Sequence, residues 1–158
     1  MACCRDEKVS KPVIRISTPQ WPLRATNITA LPFGGFPTDM QPQFTALLSV
    51  SLGEATVTDT VFEARMGHVR ELSKMGAKIE TLSQNSVRVT GLAVGDKLAR
   101  LDAANVTALD LRTGAALVLA ALAADGVTAV RGLDMIDRGY AAMHEKLQSL
   151  GAVVKRCP

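Results

Sequence analysis

A chain of 158 residues, 47% hydrophobic and 21% charged, is long enough for one globular domain with a real core. Its formal net charge of +3 comes from Lys and Arg scattered among acids, and only 4% of the chain is aromatic, so the composition argues against a nucleic-acid binder and leaves small anionic molecules as partners. The longest uncharged apolar stretch, "GAALVLAALAA", falls well short of the roughly 20 residues that a membrane span needs.

The first residues, "MACCRDEKVS", are charged and contain no apolar signal region, and residue 2 is Ala rather than the Gly that myristoylation requires. Cys3, Cys4 and Cys157 lie near the two ends, with no CxxC pair or neighbouring His, which supports neither a disulfide framework nor a zinc site. Cys157 is followed only by Pro158, so it is not part of a prenylation box. The expectation is a reducing, cytoplasmic compartment, without a metal.

Residues 1–12 are expected to form a flexible or unrelated N-terminus. "VIRIS" then alternates as a strand, "PQWP" breaks the chain, and "LRATNITAL" reads as a second extended segment ending in the loop "PFGG". Thr38 has the chemistry of a helix N-cap, and Gln41 three residues on completes a capping-box pattern before "FTALLSV". This helix should stop near Gly53. "ATVTDTV" alternates as a strand, after which Met66, Val69, Leu72 and Met75 repeat at threes, the apolar face of a short helix closed by Gly76. Two strands, "AKIETL" and "SVRVTG", follow across a turn at Ser83 to Asn85. Asp110 precedes "LRTGAALVLAALAADG", a helix so apolar that it should be covered on most sides, and "VTAVR" returns as a strand.

The halves of the chain repeat one another, over about residues 32–91 and 97–157. Gly53 to Arg65 and Gly126 to Arg138 are both twelve positions, and an acid, Asp39 or Asp110, opens the first helix of each unit. Each Arg is expected to begin a second helix, carrying Met66, Val69 and Leu72 or Tyr140, Met143 and Leu147, and ending at Gly76 or Gly151. Right-handed crossovers would bring corresponding helix starts to one end of the molecule.

An acid at a helix start is favoured by the partial positive charge there, and Asp110 is equally well explained as a plain N-cap. Asp39 is different, because Thr38 already supplies a cap. Its spare carboxylate suits a hydroxyl-bearing or anionic ligand, against the simpler alternative of an exposed acid in a first turn. Arg65, Arg112 and Arg138 would each pass singly for solvated surface charges. Their equivalent placement suggests three guanidinium forks at one rim, suited to a small dianion carrying carboxylate and phosphate.

Four motifs in order, "GFPTDMQPQF", "FEARMGHVREL", "LDLRTGAALVLAAL" and "MIDRGY", resemble those of the bacterial UDP-N-acetylglucosamine enolpyruvyl transferases, of the EPSP synthase family. The resemblance runs from about Val13 to Arg156. It implies an α/β architecture, the enolpyruvyl transferase fold of inside-out α/β barrel type, with residues 13–158 forming about two repeat units of one domain. It implies the reaction too: the enolpyruvyl group of phosphoenolpyruvate passes to the 3-hydroxyl of UDP-N-acetylglucosamine, phosphate is released, and the product is a peptidoglycan precursor. No cofactor is implied.

Carried onto this chain, the resemblance makes Asp39 the residue that contacts the sugar hydroxyl and the candidate base for its proton, a role that needs a carboxylate at a fixed position. Val61 and Phe62 fall beside the nucleotide sugar. Arg65, Asp110, Arg112 and Arg138 fall around the cleft, with Arg112 and Arg138 placed to meet phosphoenolpyruvate and Arg138 counted with Asp39 as catalytic. Forks aimed at its developing charge would stabilise the transition state electrostatically. His68 matches a family histidine and is read as structural.

The pattern departs from the family at Ala64, Met66, Gly67, Arg70 and "DLRTGAAL". Family members are more than twice as long; their mobile loop with its Cys or Asp, an N-terminal Lys and Asn, and a whole second domain have no counterpart in this sequence. A cleft between two domains does not close with one. The chain is thus expected to work with a partner chain supplying the rest, or to be a non-catalytic binding or interaction module. An uncovered apolar patch and self-association are expected, with a plastid the alternative compartment.

Overall fold

The computed structural model describes Ser17 and residues 21–157. The expected strand "VIRIS" and the N-terminal segment 1–12 lie outside these, apart from Ser17.

The first half is built on a sheet of four strands in the order β1-β2-β4-β3. Strand β1 (Ile28–Ala30) runs parallel to β2 (Glu54–Asp59), as a crossover connection requires, with Ile28 opposite Val57 and Ala30 opposite Asp59. Strands β3 (Lys78–Ser83) and β4 (Ser86–Thr90) form the expected hairpin, and β4 pairs antiparallel with β2. Alternation in "EATVTD" turns Ala55, Val57 and Asp59 inward. The first two enter a core with Ile28, Leu48, Val87 and Val89, whereas Asp59 places a carboxylate at the inner end of the strand.

Between β1 and β2 the chain makes a 3-10 turn over Thr38–Met40 and then helix α1 (Gln41–Ser49). Pro42 is tolerated because the first turn of a helix has no intrahelical acceptor for its N–H groups. The expected capping box does not form. Pro37 precedes the turn, and the Thr38 hydroxyl accepts from Arg65 Nη1 instead of a backbone N–H while donating its own proton to the distant Asp59 carboxylate. Helix α2 (Gly67–Lys74) follows β2 and buries Leu72, with Met75 buried just past its end.

The second half carries two short parallel pairs, β5 (Leu101–Asp102) with β7 (Ala124–Asp125) and β6 (Asn105–Thr107) with β8 (Ala129–Arg131). Helix α3 (Leu111–Leu122) crosses between them and packs along α1 through Ala116, Leu117 and Ala120, around which Ala46, Leu72, Met75, Leu101 and Val106 complete a second core. Gly114 lets α3 approach the next helix, since a Cβ there would sit 2.4 Å from Cγ1 of Ile136. The expectation that α3 is covered on most sides holds for its first turns only. Leu119 and Leu122 stay 41% and 43% exposed, and Leu119 lines an open groove of about 360 Å³ with Met40, Phe44, Leu47 and Val50.

Neither Arg begins a helix: Arg65 lies in the loop two residues before α2, and Arg138 sits elsewhere in its unit. It ends the short α4 (Leu133–Asp137), and the chain turns through Ala142, at φ 51°, before α5 (Met143–Ser149). Both α2 and α5 close in the same way: Gly76 and Gly151 adopt positive φ, and the N–H of Ala77 or Ala152 bonds the carbonyl of Leu72 or Leu147 five residues back. No strand follows α5 within the described residues, in contrast to β3 after α2. No described helix is long and apolar enough to cross a membrane.

Candidate functional site

The carboxylate of Asp39 stands on the 3-10 turn at the mouth of a pocket of about 580 Å³. Its walls are the loop from Leu31 to Gly35, then Pro37 and Thr38, then Val61, Phe62, Arg65 and Arg112. Five of the seven residues singled out in the sequence therefore share one cavity: Asp39, Val61, Phe62, Arg65 and Arg112.

Each is held by a local cause. Asp110 caps α3, its Oδ1 accepting the N–H of Arg112 at 2.8 Å and of Thr113 at 3.0 Å, while the Thr113 hydroxyl donates to Oδ2 at 2.6 Å. The capping alternative for Asp110 is thus what the structure shows; the residue does not line the pocket and sets the backbone of Arg112. From there the Arg112 side chain crosses to α1's side of the molecule, and its Nε donates to Asp39 Oδ1. The two helix starts do lie at one end.

Arg65 reaches the same oxygen from the opposite wall, with Nη1 at 3.2 Å from Asp39 Oδ1 and 2.7 Å from the Thr38 hydroxyl. Its guanidinium carbon lies 4.2 Å from the centre of the Phe62 ring, a cation–π contact. Asp39 is thus clamped between two arginines and is not a spare acid. The Arg112 hydrogen bond, outweighing partial burial and aided by the charges of both arginines, holds its carboxyl below the usual carboxylate range. The same bond raises Arg112 above its ordinary value. Burial pushes Asp110 up, but its bonds from Thr113 and Arg112 leave it below its ordinary value.

The expected third fork is not brought to this rim. Arg138 is exposed at the end of α4, where its Nη1 lies 4.0 Å from the Met135 sulfur, and it does not line the pocket. The equivalence with Arg65 fails because Arg65 stands in the loop between β2 and α2, whereas the corresponding stretch of the second unit forms α4, with Arg138 at its end. His68 is buried against Gln41 beneath the pocket, 3.4 Å between Nε2 atoms, in keeping with a structural role.

Two polar groups of the site were not recognised as such in the sequence. Thr38 looked like a helix cap, and Asp59 passed as one member of an alternating strand. The signal for Asp59 was present: a carboxylate on the inward phase of a buried strand requires partners, and here it takes the N–H groups of Val61 and Phe62 and the hydroxyl of Thr38.

Comparison with known proteins places this chain in a family. The model of the EPSP synthase (3-phosphoshikimate 1-carboxyvinyltransferase) family matches residues 5–147. A UDP-N-acetylglucosamine 1-carboxyvinyltransferase of Synechocystis is 51% identical over 134 residues, 85% of this chain and 29% of that protein. The enzyme of the same name from Gloeobacter violaceus is 48% identical, again over 85% of this chain and 28% of its own length. Among solved structures, the enolpyruvyl transferase NikO from Streptomyces tendae superposes with a TM-score of 0.75 at 32% identity, covering 87% of this chain and 30% of that one. EPSP synthase from Acinetobacter baumannii, at 20% identity and a TM-score of 0.55 over 76% of this chain and 27% of its own, shares the fold. The chain thus spans somewhat under a third of the length of these relatives. It is mixed α/β, it carries the enolpyruvyl transferase fold over part of a domain, and it belongs to the EPSP synthase family.

Proposed function

We propose that the pocket holds the sugar of UDP-N-acetylglucosamine, with the Asp39 carboxylate on its 3-hydroxyl and Val61 and Phe62 against the nucleotide sugar. The chain then supplies about two repeat units, residues 32–91 and 97–157, of an enzyme that transfers the enolpyruvyl group of phosphoenolpyruvate to that hydroxyl. The observation that carries this reading is the single carboxylate of Asp39 shared by Arg65 and Arg112 at the mouth of the pocket.

The chemistry follows from that triad. The sugar oxygen adds to C2 of phosphoenolpyruvate while its proton leaves toward Asp39 and C3 takes a proton from an acid supplied by the rest of the enzyme. The C2–O bond to phosphate then breaks, and C3 loses a proton to restore the double bond. Bound to two arginines, Asp39 is a weak base that serves to accept and orient the hydroxyl. An anionic second substrate that draws the guanidinium forks to its own carboxylate or phosphate frees the Asp39 carboxylate and raises its basicity. Asp110 supports Arg112 through its backbone N–H. Arg138, a catalytic candidate by resemblance, would reach phosphoenolpyruvate only if the segment after α4 moved toward the pocket.

The second reading, a binding or interaction module without activity of its own, is favoured by the open groove between α1 and α3 and by the position of Arg138. A second chain carrying the remaining domain, or self-association, would cover such a groove. The cytoplasm fits either reading, or a plastid for a eukaryotic source. Copurification of a second chain supplying the missing loop separates them, and phosphate release from phosphoenolpyruvate plus UDP-N-acetylglucosamine by the purified chain tests whether these residues suffice alone. The expected result is none from this chain alone; release that is abolished in Asp39→Ala would show that these residues close a working site by themselves. Binding of UDP-N-acetylglucosamine that does not depend on Asp39 would contradict the proposed site.

A further inference from the structure

Asp59 has no accessible surface and forms no ion pair among the described residues, yet three donors converge on it. Its Oδ1 accepts the N–H of Val61 at 2.9 Å and of Phe62 at 3.1 Å, and its Oδ2 accepts the Thr38 hydroxyl at 2.5 Å. A threonine hydroxyl has one proton. Donated to Asp59, it leaves the oxygen lone pairs free to accept from Arg65 Nη1 at 2.7 Å. The Phe62 ring, whose backbone N–H is held by the other Asp59 oxygen, is the surface on which the same guanidinium rests. Of the contacts that fix Arg65, those with Thr38 and Phe62 thus originate in one buried carboxylate, and the third is Asp39 itself.

We infer that Asp59 is the positioning residue of this pocket: through the Thr38 hydroxyl and the Phe62 backbone it fixes the Arg65 guanidinium against Asp39. This rests on the reading of the pocket as a nucleotide-sugar site only for its functional consequence, because the relay is made of the chain's own contacts. A strand-end turn alone would require the two backbone bonds of Asp59 but not the polarity of the Thr38 hydroxyl. The relay requires that polarity, and it makes a sharp demand on amide substitution. In Asp59→Asn the oxygen still accepts from the turn, but the amide nitrogen donates to Thr38 and turns the hydroxyl proton toward Arg65, where two donors face each other.

The test uses the full 158-residue chain as wild type, Thr38→Val, Thr38→Ser and Asp59→Asn, each confirmed folded by circular dichroism. Two quantities are read: the side-chain Nε–Hε resonance of Arg65, assigned through its loss in Arg65→Lys, and the affinity for UDP-N-acetylglucosamine by calorimetry. The expected result is a shifted or broadened Arg65 resonance and an affinity lower by about tenfold in both Thr38→Val and Asp59→Asn, the scale of one hydrogen bond to a charged group, with both properties restored in Thr38→Ser. An Arg65 resonance unchanged in Thr38→Val and Asp59→Asn overturns the relay, as does a failure of Thr38→Ser to restore it. If wild type does not bind the nucleotide sugar, the ligand reading falls while the Arg65 resonance still decides the relay.

Discussion

Arg112, in the first turn of α3, donates its Nε–H to the carboxylate of Asp39 across 73 residues of sequence. One ion pair therefore joins the helix starts of the two halves and sets the charge at the pocket. Removing it in Arg112→Ala should raise the Asp39 pKa toward its ordinary value, as read by carbon NMR of the carboxyl group. The linkage has a definite sign. A carboxyl depressed in the folded state adds stability above its unfolded pKa, and that stability is lost as the pH falls through the folded value. With the Asp39 side chain 58% exposed, the loss of stability at neutral pH should stay below about 1 kcal/mol. A carboxyl titration unchanged in Arg112→Ala would mean the pair does not form in solution.

Asp110 acts through backbone geometry. Asp110→Ala should cost about 1 kcal/mol by freeing two N–H groups of α3, while Asp110→Asn, also a good cap, should cost clearly less. Denaturant midpoints of the two variants give the comparison. Equal losses would point to the charge of Asp110, and not its capping, as the stabilising feature.

His68 makes a prediction about acid. Burial lowers its pKa from 6.5 to about 4, partly opposed by the Asp110 charge. The unfolded chain then takes up a proton near pH 6.5 that the folded chain refuses until about pH 4, so stability is complete above the first value and falls as the pH drops through this window. The full effect is roughly 3 kcal/mol. Folding free energies at pH 7, 5.5 and 4 should show this slope in wild type and a much shallower one in His68→Gln; parallel slopes would exclude His68 as its source.

Glu71 links α2 to the second half. Its Oε2 accepts the N–H of Thr107 at 2.8 Å, and Lys74 Nζ lies 2.6 Å from Oε1. Burial pushes its pKa up, but the bonds from Lys74 and Thr107 bring it below the ordinary value. Glu71→Ala leaves the Thr107 N–H without this acceptor and should destabilise the chain by about 1–3 kcal/mol. Lys74→Ala, at a half-exposed position, should cost less than about 1 kcal/mol. Thermal unfolding that ranked the two in reverse order would contradict this assignment.

The elements legible in the sequence were those with a local cause. Alternation marked β2, the turn residues Ser83 to Asn85 marked the hairpin of β3 and β4, and Gly76 marked the end of α2, because each depends on neighbours a few residues away. Thr38 misled because its capping pattern was sound locally, whereas the donor that occupies its hydroxyl oxygen, Arg65, lies 27 residues on, and the acceptor of its proton, Asp59, 21 residues on. Arg138 misled for a related reason: a matched spacing in sequence does not survive the replacement of a loop by a helix. Asp39, Arg65 and Arg112 could be nominated from repeat position and resemblance, but only the fold shows that the arginines meet on one carboxylate.

The central claim is that Asp39, held by two arginines, is the hydroxyl-recognising group of a nucleotide-sugar pocket. Calorimetric titration of UDP-N-acetylglucosamine into wild type and Asp39→Ala tests it most directly. The account predicts saturable binding to the wild-type chain that weakens by at least about tenfold in Asp39→Ala. Equal affinity in the two proteins, or no binding to wild type, would contradict it.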